Sequence, residues 1–174
     1  EGKSVLAANL AQYAAEVELR TLLVDCNLHA PDVTAHFAPG AEHSFIDVLS
    51  GNASLRETIV RDQETGLHVC PGSGDCDPLR AMEILSSSKA GEFLRAAARE
   101  YDLVIVDTSA LLLHMDARLL LDHADAVILT IEADRASAND LAQLKTLVPA
   151  LLAKRCGLVI NKAGAAPRLD WQRL

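Results

Sequence analysis

Three short stretches carry the residue types that can do chemistry together. The chain begins "EGKSVLAANLAQ", in which Gly2, Lys3 and Ser4 open an apolar helical pattern. "TLLVD" at 21–25 and "LVIVD" at 103–107 are apolar runs that each end in aspartate. Gly-Lys-Ser is the closing half of the phosphate loop G-x-x-x-x-G-K-[ST]. In that loop backbone N–H groups cradle phosphates, the lysine reaches the β and γ oxygens, and the hydroxyl binds Mg²⁺. The tripeptide alone is weak, but at the first turn of a helix the dipole and free N–H groups favour an anion. An aspartate at the carboxyl end of a strand is where a cation accompanying that anion needs a ligand, since ligands of doubly wound sheets bind beyond those ends. Taken singly, Asp107 reads equally well as a turn-starting residue. Together, Lys3, Ser4, Asp25 and Asp107 point to one phosphate–metal site.

The elements that must position them follow from periodicity. "TLLVD", "LHVC" (67–70), "LVIVD", "AVILTI" (126–131) and "GLVIN" (157–161) are short and rich in branched aliphatics, as strands buried on both faces of a parallel sheet are. Between them lie helical patterns. Residues 3–17 place Leu6, Leu10, Tyr13 and Val17 on one stripe, and residues 88–100 place Phe93, Leu94 and Ala97 together. Residues 115–123 form another helix, and residues 136–148 place Leu141, Leu144 and Val148 on one face, with Pro149 to end it. Alternation of this kind predicts a doubly wound α/β domain. The segments 38–44 and 71–78 read as loops.

Composition bounds the function. A chain of 174 residues with 50% hydrophobic residues has the mass for one domain with a core. At 3% aromatics that core is aliphatic. A net charge of −8 speaks against nucleic acid as a partner. No apolar run approaches the roughly 20 residues that span a bilayer. Cys26, Cys70, Cys76 and Cys156 contain no C-x-x-C pair and read as scattered thiols of a reducing compartment. His29, His36 and His43 recur every seven residues, but Pro31, Pro39 and Gly40 interrupt any common helix face, so the spacing does not make a metal site.

In order and wording these segments resemble the cytoplasmic kinase domain of bacterial tyrosine kinases, the BY-kinases of capsule and exopolysaccharide assembly. "EGKS…ANLA" resembles their Walker A helix, and "LLVDCNLHAP" the Walker A′ strand, usually like VDADLRRP. "FIDVLSGNASL" (45–55) resembles their next helix and turn. "PGSGDCDPLRAMEILSSSK" (71–89) resembles a loop and helix usually like GPIPPNPSELLSSEK. "YDLVIVDTSALLLHMDA" (101–117) resembles their Walker B segment, usually YDxVIIDTPPxxxxxDA, and "GLVINKA" (157–163) a late strand ending in Asn. The resemblance covers nearly the whole chain. It implies a three-layer, mostly parallel α/β fold of the Min/Par-like (SIMIBI) class of P-loop NTPases, one nucleotide-binding domain over 1–174, and ATP with Mg²⁺ as cofactors. It implies that Lys3 contacts the β and γ phosphates, that Gly2 lends backbone N–H, that Ser4 and Asp107 hold Mg²⁺, that Asp25 polarises the attacking hydroxyl or a metal-bound water, and that Asn161 faces the adenine. It further implies an ATP-dependent tyrosine autokinase regulating polysaccharide chain length and export. That protein would be a homo-oligomer held at the inner face of the plasma membrane by a membrane-embedded chain-length determinant partner or domain. Two rivals remain: a degenerate, non-catalytic nucleotide-binding regulator, and a Min/Par-type partition ATPase.

Departures from the pattern bear on activity. Asn27 stands where a second Walker A′ aspartate is usual, His29 and Ala30 replace two arginines, and Ser109 and Ala110 replace two prolines, which should loosen that turn. Second-shell changes of this kind typically cost about 10–100-fold in affinity or rate. The tail "AGAAPRLDWQRL" has no tyrosine cluster, and Tyr13 and Tyr101 read as packing residues. In the family a central strand precedes the phosphate loop and pairs beside the Walker B strand. The chain from Glu1 is therefore expected to be an N-terminally truncated piece with ladder groups of 103–107 unpaired. Residues 1–174 alone are expected to melt early and without cooperativity, so a sharp, stable thermal transition of that polypeptide contradicts this expectation.

Overall fold

The computed structural model describes residues 1–164 except 75, 134, 136, 150, 152 and 153. They fall into two compact units, one of Lys3–Ala124 and one of Glu1–Gly2 with the residues from Asp125 onward. The larger unit runs α1 (Lys3–Glu16), β1 (Thr21–Cys26), α2 (Asp32–Phe37), α3 (Phe45–Ser50), α4 (Leu55–Thr58), β2 (Val60–Arg61), β3 (His68–Cys70), α5 (Pro78–Ser86), α6 (Ser88–Glu100), β4 (Leu103–Thr108) and α7 (Met115–Leu121). The smaller unit holds β5 (Ala126–Glu132), α8 (Ala138–Leu147) and β6 (Arg155–Asn161).

In the larger unit the sheet order is β2-β3-β1-β4, with β1 parallel to both β3 and β4 and β2 antiparallel at the edge. All six residues of β1 are buried, as a strand covered on both faces requires. Its alternate side chains sort into two cores. Leu22, Val24 and Cys26 pack with Phe45, Leu85, Phe93 and Ala97, and Leu23 packs with Ala11, Val33, Leu67 and Val69. Helices therefore cover both faces, giving the three-layer doubly wound arrangement that the alternation predicts. Arg20 and Asp102, just before β1 and β4, fix the pair at its other end: the Arg20 Nη2 donates to Asp102 Oδ1 at 2.7 Å and Nε to Oδ2 at 3.1 Å. These bonds hold the Asp102 carboxyl down at about 2.

The strand and helix expectations hold in existence and type, but two expected faces do not. Helix α1 turns its alanines inward: Ala11 and Ala14 are buried, and Ala7, Ala8 and Ala15 pack against the Leu23 core. The predicted stripe is the outer one, with Tyr13 65% exposed and Leu10 and Val17 also exposed. Small residues let the helix approach β1 and β4 closely, and that close approach overrides the larger apolar pattern. Tyr13 is thus not a packing residue, whereas Tyr101 is half-buried against the core and its hydroxyl lies 2.8 Å from His68 Nδ1. The second correction concerns β5 and β6, predicted to be buried on both faces. They pair in parallel with each other, and Ile128, Leu158 and Ile160 are exposed. Two strands and one helix offer too few neighbours to cover them. Leu144 and Val148 of the last helical pattern are buried, and α8 stops two residues before Pro149; the Leu141 side chain and the tail from residue 165 lie outside the described residues. Among those residues β4 pairs with β1 alone, and Val104, Ile105 and Val106 are only half-buried.

Overpacking tests the alanine face. Ala11→Leu should destabilise the protein by about 1–3 kcal/mol, while Tyr13→Ala should stay within about 0.5 kcal/mol. Denaturant midpoints compared at equal slope measure both.

Candidate functional site

Strands β1 and β4 run in parallel with Asp25 opposite Asp107. Partners in such a ladder point to the same face, and neighbouring strands lie about 4.8 Å apart, so the register sets two carboxylates side by side. Both are buried, Asp25 at 0% and Asp107 at 2% exposure. Helix α1 begins at Lys3 and packs on β1 and β4, bringing Ser4 within hydrogen-bond reach of the Asp107 carboxylate and Lys3 within its field. Lys3, Ser4, Asp25 and Asp107 thus converge in one unit.

The two aspartates are held differently. Asp25 is pinned: its Oδ2 accepts from Thr34 N at 2.9 Å and Thr34 Oγ1 at 2.7 Å, and its Oδ1 accepts from Asn27 N at 3.1 Å. Burial raises its pKa, and these bonds oppose the rise. The Thr34 hydroxyl also accepts from Gly72 N at 2.7 Å, which locks the loop after β3 to the site. Gly72 is needed there because a Cβ would lie 2.7 Å from the Asp25 carbonyl oxygen. Asp107 is left open: its Oδ2 is buried with no hydrogen-bond partner. Burial raises its pKa to about 6, the Ser4 hydroxyl opposing and the Asp25 charge adding to the rise. An orphaned buried carboxylate oxygen beside a hydroxyl and a lysine fits a hard, oxygen-loving cation accompanied by phosphate. Magnesium would be held by Ser4 and Asp107, where it would neutralise phosphate charge.

Gly2 and Asn161 belong to the smaller unit. The Asn161 Nδ2 donates to the Glu1 carbonyl at 2.9 Å. Gly2 has φ +92°, and a Cβ on it would collide with the Asn161 amide, so glycine is required there on both counts.

Asn27 is buried and builds a turn: its Oδ1 accepts from Ala30 N at 3.3 Å. The turn after β4, expected to be loose without its prolines, is instead tied down. Ser109 is buried and its Oγ donates to Asp116 Oδ2 at 2.8 Å, and Arg118 Nε donates to the Leu111 carbonyl at 2.7 Å. Side-chain bonds replace ring rigidity. Sequence reasoning missed Thr34 and Gly72, which carry no motif of their own; the proximity of "PGSG" to a strand end was the available signal.

A parallel, doubly wound sheet with a lysine-led helix at its carboxyl edge is the fold of a P-loop NTPase. Comparison with known proteins narrows it. A sequence model of the AAA domain family matches residues 1–157. The chain is 32% identical over 161 residues to the tyrosine-protein kinase YwqD of Bacillus subtilis (strain 168), covering 92% of this chain and 67% of that protein. It is 31% identical over 163 residues to the succinoglycan biosynthesis transport protein ExoP of Rhizobium meliloti (strain 1021), covering 93% of this chain but 21% of that one. Among solved structures, the VpsO kinase domain superposes with a TM-score of 0.81 at 30% identity, over 94% of this chain and 80% of the other. The septum site-determining protein MinD from Pyrococcus horikoshii OT3, complexed with Mg-ADP, matches at TM-score 0.77 and 21% identity, over 96% and 68%, a likeness of fold. The chain belongs to the AAA domain family and, within it, to the bacterial tyrosine kinase group. It spans about a fifth of the length of the succinoglycan relative and two thirds of the Bacillus one.

The open carboxylate costs stability. Its native pKa of about 6 lies above the ordinary 3.8, so between these values the native state holds a proton that the unfolded state has released. The penalty is absent below the unfolded pKa, grows through that window and is complete above it. Asp107→Asn should therefore stabilise the nucleotide-free protein by roughly 1–3 kcal/mol at about pH 8, with the gain vanishing toward about pH 4. Paired melting curves across that range check it, and a gain that grows on acidification contradicts the assignment.

Proposed function

We propose that this chain is the ATP-binding domain of a tyrosine autokinase-like protein that regulates capsule or exopolysaccharide chain length and export. The observation that carries the reading is the partnerless Asp107 oxygen beside Ser4, with Lys3 and Asp25 in the same cluster. Phosphoryl transfer is chiefly positioning and charge neutralisation, and this set supplies both. In this reading Lys3 and the Gly2 backbone N–H bind the phosphates, Ser4 and Asp107 hold Mg²⁺, Asp25 orients the attacking hydroxyl, and Asn161 faces the adenine. The whole forms one nucleotide-binding domain. Kinships with a tyrosine kinase and a succinoglycan transport protein support a place beside membrane-embedded export machinery, with a chain-length determinant protein or domain as partner and further copies of the chain as neighbours. Among the described residues no helix is long and apolar enough to cross a membrane. Identity of 32% to the Bacillus tyrosine-protein kinase, against 21% to the septum protein, favours this reading over a partition ATPase.

One observation favours a second reading, a nucleotide-binding regulator without phosphoryl transfer. The Asn27 side-chain oxygen is engaged in its own turn and brings no charge to the site.

The full-length protein incubated with labelled ATP and Mg²⁺ tests both. Label on protein tyrosine is expected, and Lys3→Ala should lower it by at least ~100-fold. Free phosphate without protein label points to the partition type. Nucleotide binding without turnover points to the regulator. Label that survives Lys3→Ala overturns the assigned phosphate loop.

A further inference from the structure

Beside the aspartate pair, the same two loops build a second cluster that the phosphate chemistry does not use. His29, in the turn after β1, stacks on His114, which precedes α7, with ring centroids 3.7 Å apart and planes 27° apart. The His29 Nε2 lies 3.8 Å from Asp116 Oδ1. One ligand atom from each of His29, His114 and Asp116 lies within 4.8 Å of the others. Asp116 is 4% exposed, so its carboxylate is fixed, and Ser109 Oγ holds its other oxygen at 2.8 Å. His114 sits at the N-cap of α7 but its side chain caps nothing. His29 is the exposed member of the three.

The geometry points to a binding site for a borderline divalent transition metal, Zn²⁺ in the first place, ligated by His29, His114 and Asp116 with water completing the shell. Two imidazoles and one carboxylate are the donor set of open zinc sites. Nitrogen donors select against Mg²⁺ and Ca²⁺, which take oxygen, so this site and the Asp107 site sort cations by chemistry. Ser109 supplies the outer hydrogen bond that orients a ligating carboxylate. Four-coordinate Zn²⁺ with bonds of about 2.0–2.1 Å needs ligand atoms about 3.3 Å apart. Tetrahedral ligation requires the stacked His29 and His114 rings to come apart so that their nitrogens converge on one point with Asp116, and the exposure of His29 leaves room for that turn. A metal here would clip the loop that carries Asn27 to the loop that follows Asp107, and so regulate the nucleotide site from outside it.

The plain alternative is an ion pair of His29 with Asp116, and one substitution separates the two. His29→Arg keeps a cation facing Asp116 and removes the ligand. Titration of the full-length, untagged protein with Zn²⁺ in excess Mg²⁺, by calorimetry and with Co²⁺ as a visible probe, should give one site per chain with tetrahedral absorption. His29→Arg and His114→Ala should each abolish it, and Ser109→Ala should weaken it by about 10–100-fold. Circular dichroism of each variant without metal verifies folding, and a variant that fails is replaced by His29→Gln or His114→Gln. The proposal is overturned by Zn²⁺ binding that excess Mg²⁺ competes away, by binding that survives His29→Arg, or by no binding to a folded protein.

Discussion

The site depends on the register of two parallel strands. Six residues of β1 pair with six of β4, Thr21 with Leu103 through Cys26 with Thr108. A slip of one residue would turn Asp107 away from Asp25 and carry an apolar side chain into the site. Two features prevent it. The bidentate Arg20–Asp102 pair fixes one end of the ladder, and the two cores demand that Leu22 and Leu23 face opposite ways. The aliphatic core thus does electrostatic duty: it holds two acids closer than they would choose, and burial keeps water from relieving them. The alanine face of α1 serves the same end, since a bulkier face would move Lys3 and Ser4 away from the carboxylates.

The positions of Lys3, Ser4, Asp25 and Asp107 were legible because each stands at the end of an element with a strong period. Their convergence follows from the rule that parallel strands present their carboxyl ends together. The inward face of α1 was not legible, because a hydrophobic stripe scores Leu and Tyr above Ala while packing distance rewards Ala. Thr34 and Gly72 escaped for another reason. One hydroxyl and one N–H separated by 38 positions in the chain have no periodic signature, and only the fold brings them to Asp25. The histidines show the limit well. The seven-residue spacing of His29, His36 and His43 is visible and joins nothing, while His29 and His114 lie 85 positions apart and stack. The exposed faces of β5 and β6 were unreadable because strand composition reports what a strand can bury, not what neighbours it meets.

The loop after β1 has changed its charges as a set. Relative to the VDADLRRP wording, Asn27 removes one negative charge, and His29 and Ala30 remove two positive ones. A unit charge pair 4 Å apart is worth roughly 4 kcal/mol at an effective dielectric of about 20, so losing either sign alone would unbalance the site. Near Asp25 and Asp107 the missing aspartate relieves repulsion that burial already makes severe. Asp116 is met instead by the His29 imidazole and the Ser109 hydroxyl. Asn27 keeps the one thing the turn needs from that position, an oxygen for the Ala30 N–H.

The two aspartates respond differently to these departures. Asp25 is satisfied by Thr34 and Asn27 backbone and side-chain donors that do not depend on loop charge. Asp107 is the frustrated member, with one oxygen unpartnered. A buried acceptor without a donor costs about 1–3 kcal/mol, and a cation that supplies the missing partner recovers it as binding energy. In the proposed reading that unpartnered oxygen is where cation affinity would be stored, and its buried surroundings keep it from water. A metal clip at Asp116 would act on the same store indirectly, because Ser109 stands two residues from Asp107 and takes its position from Asp116.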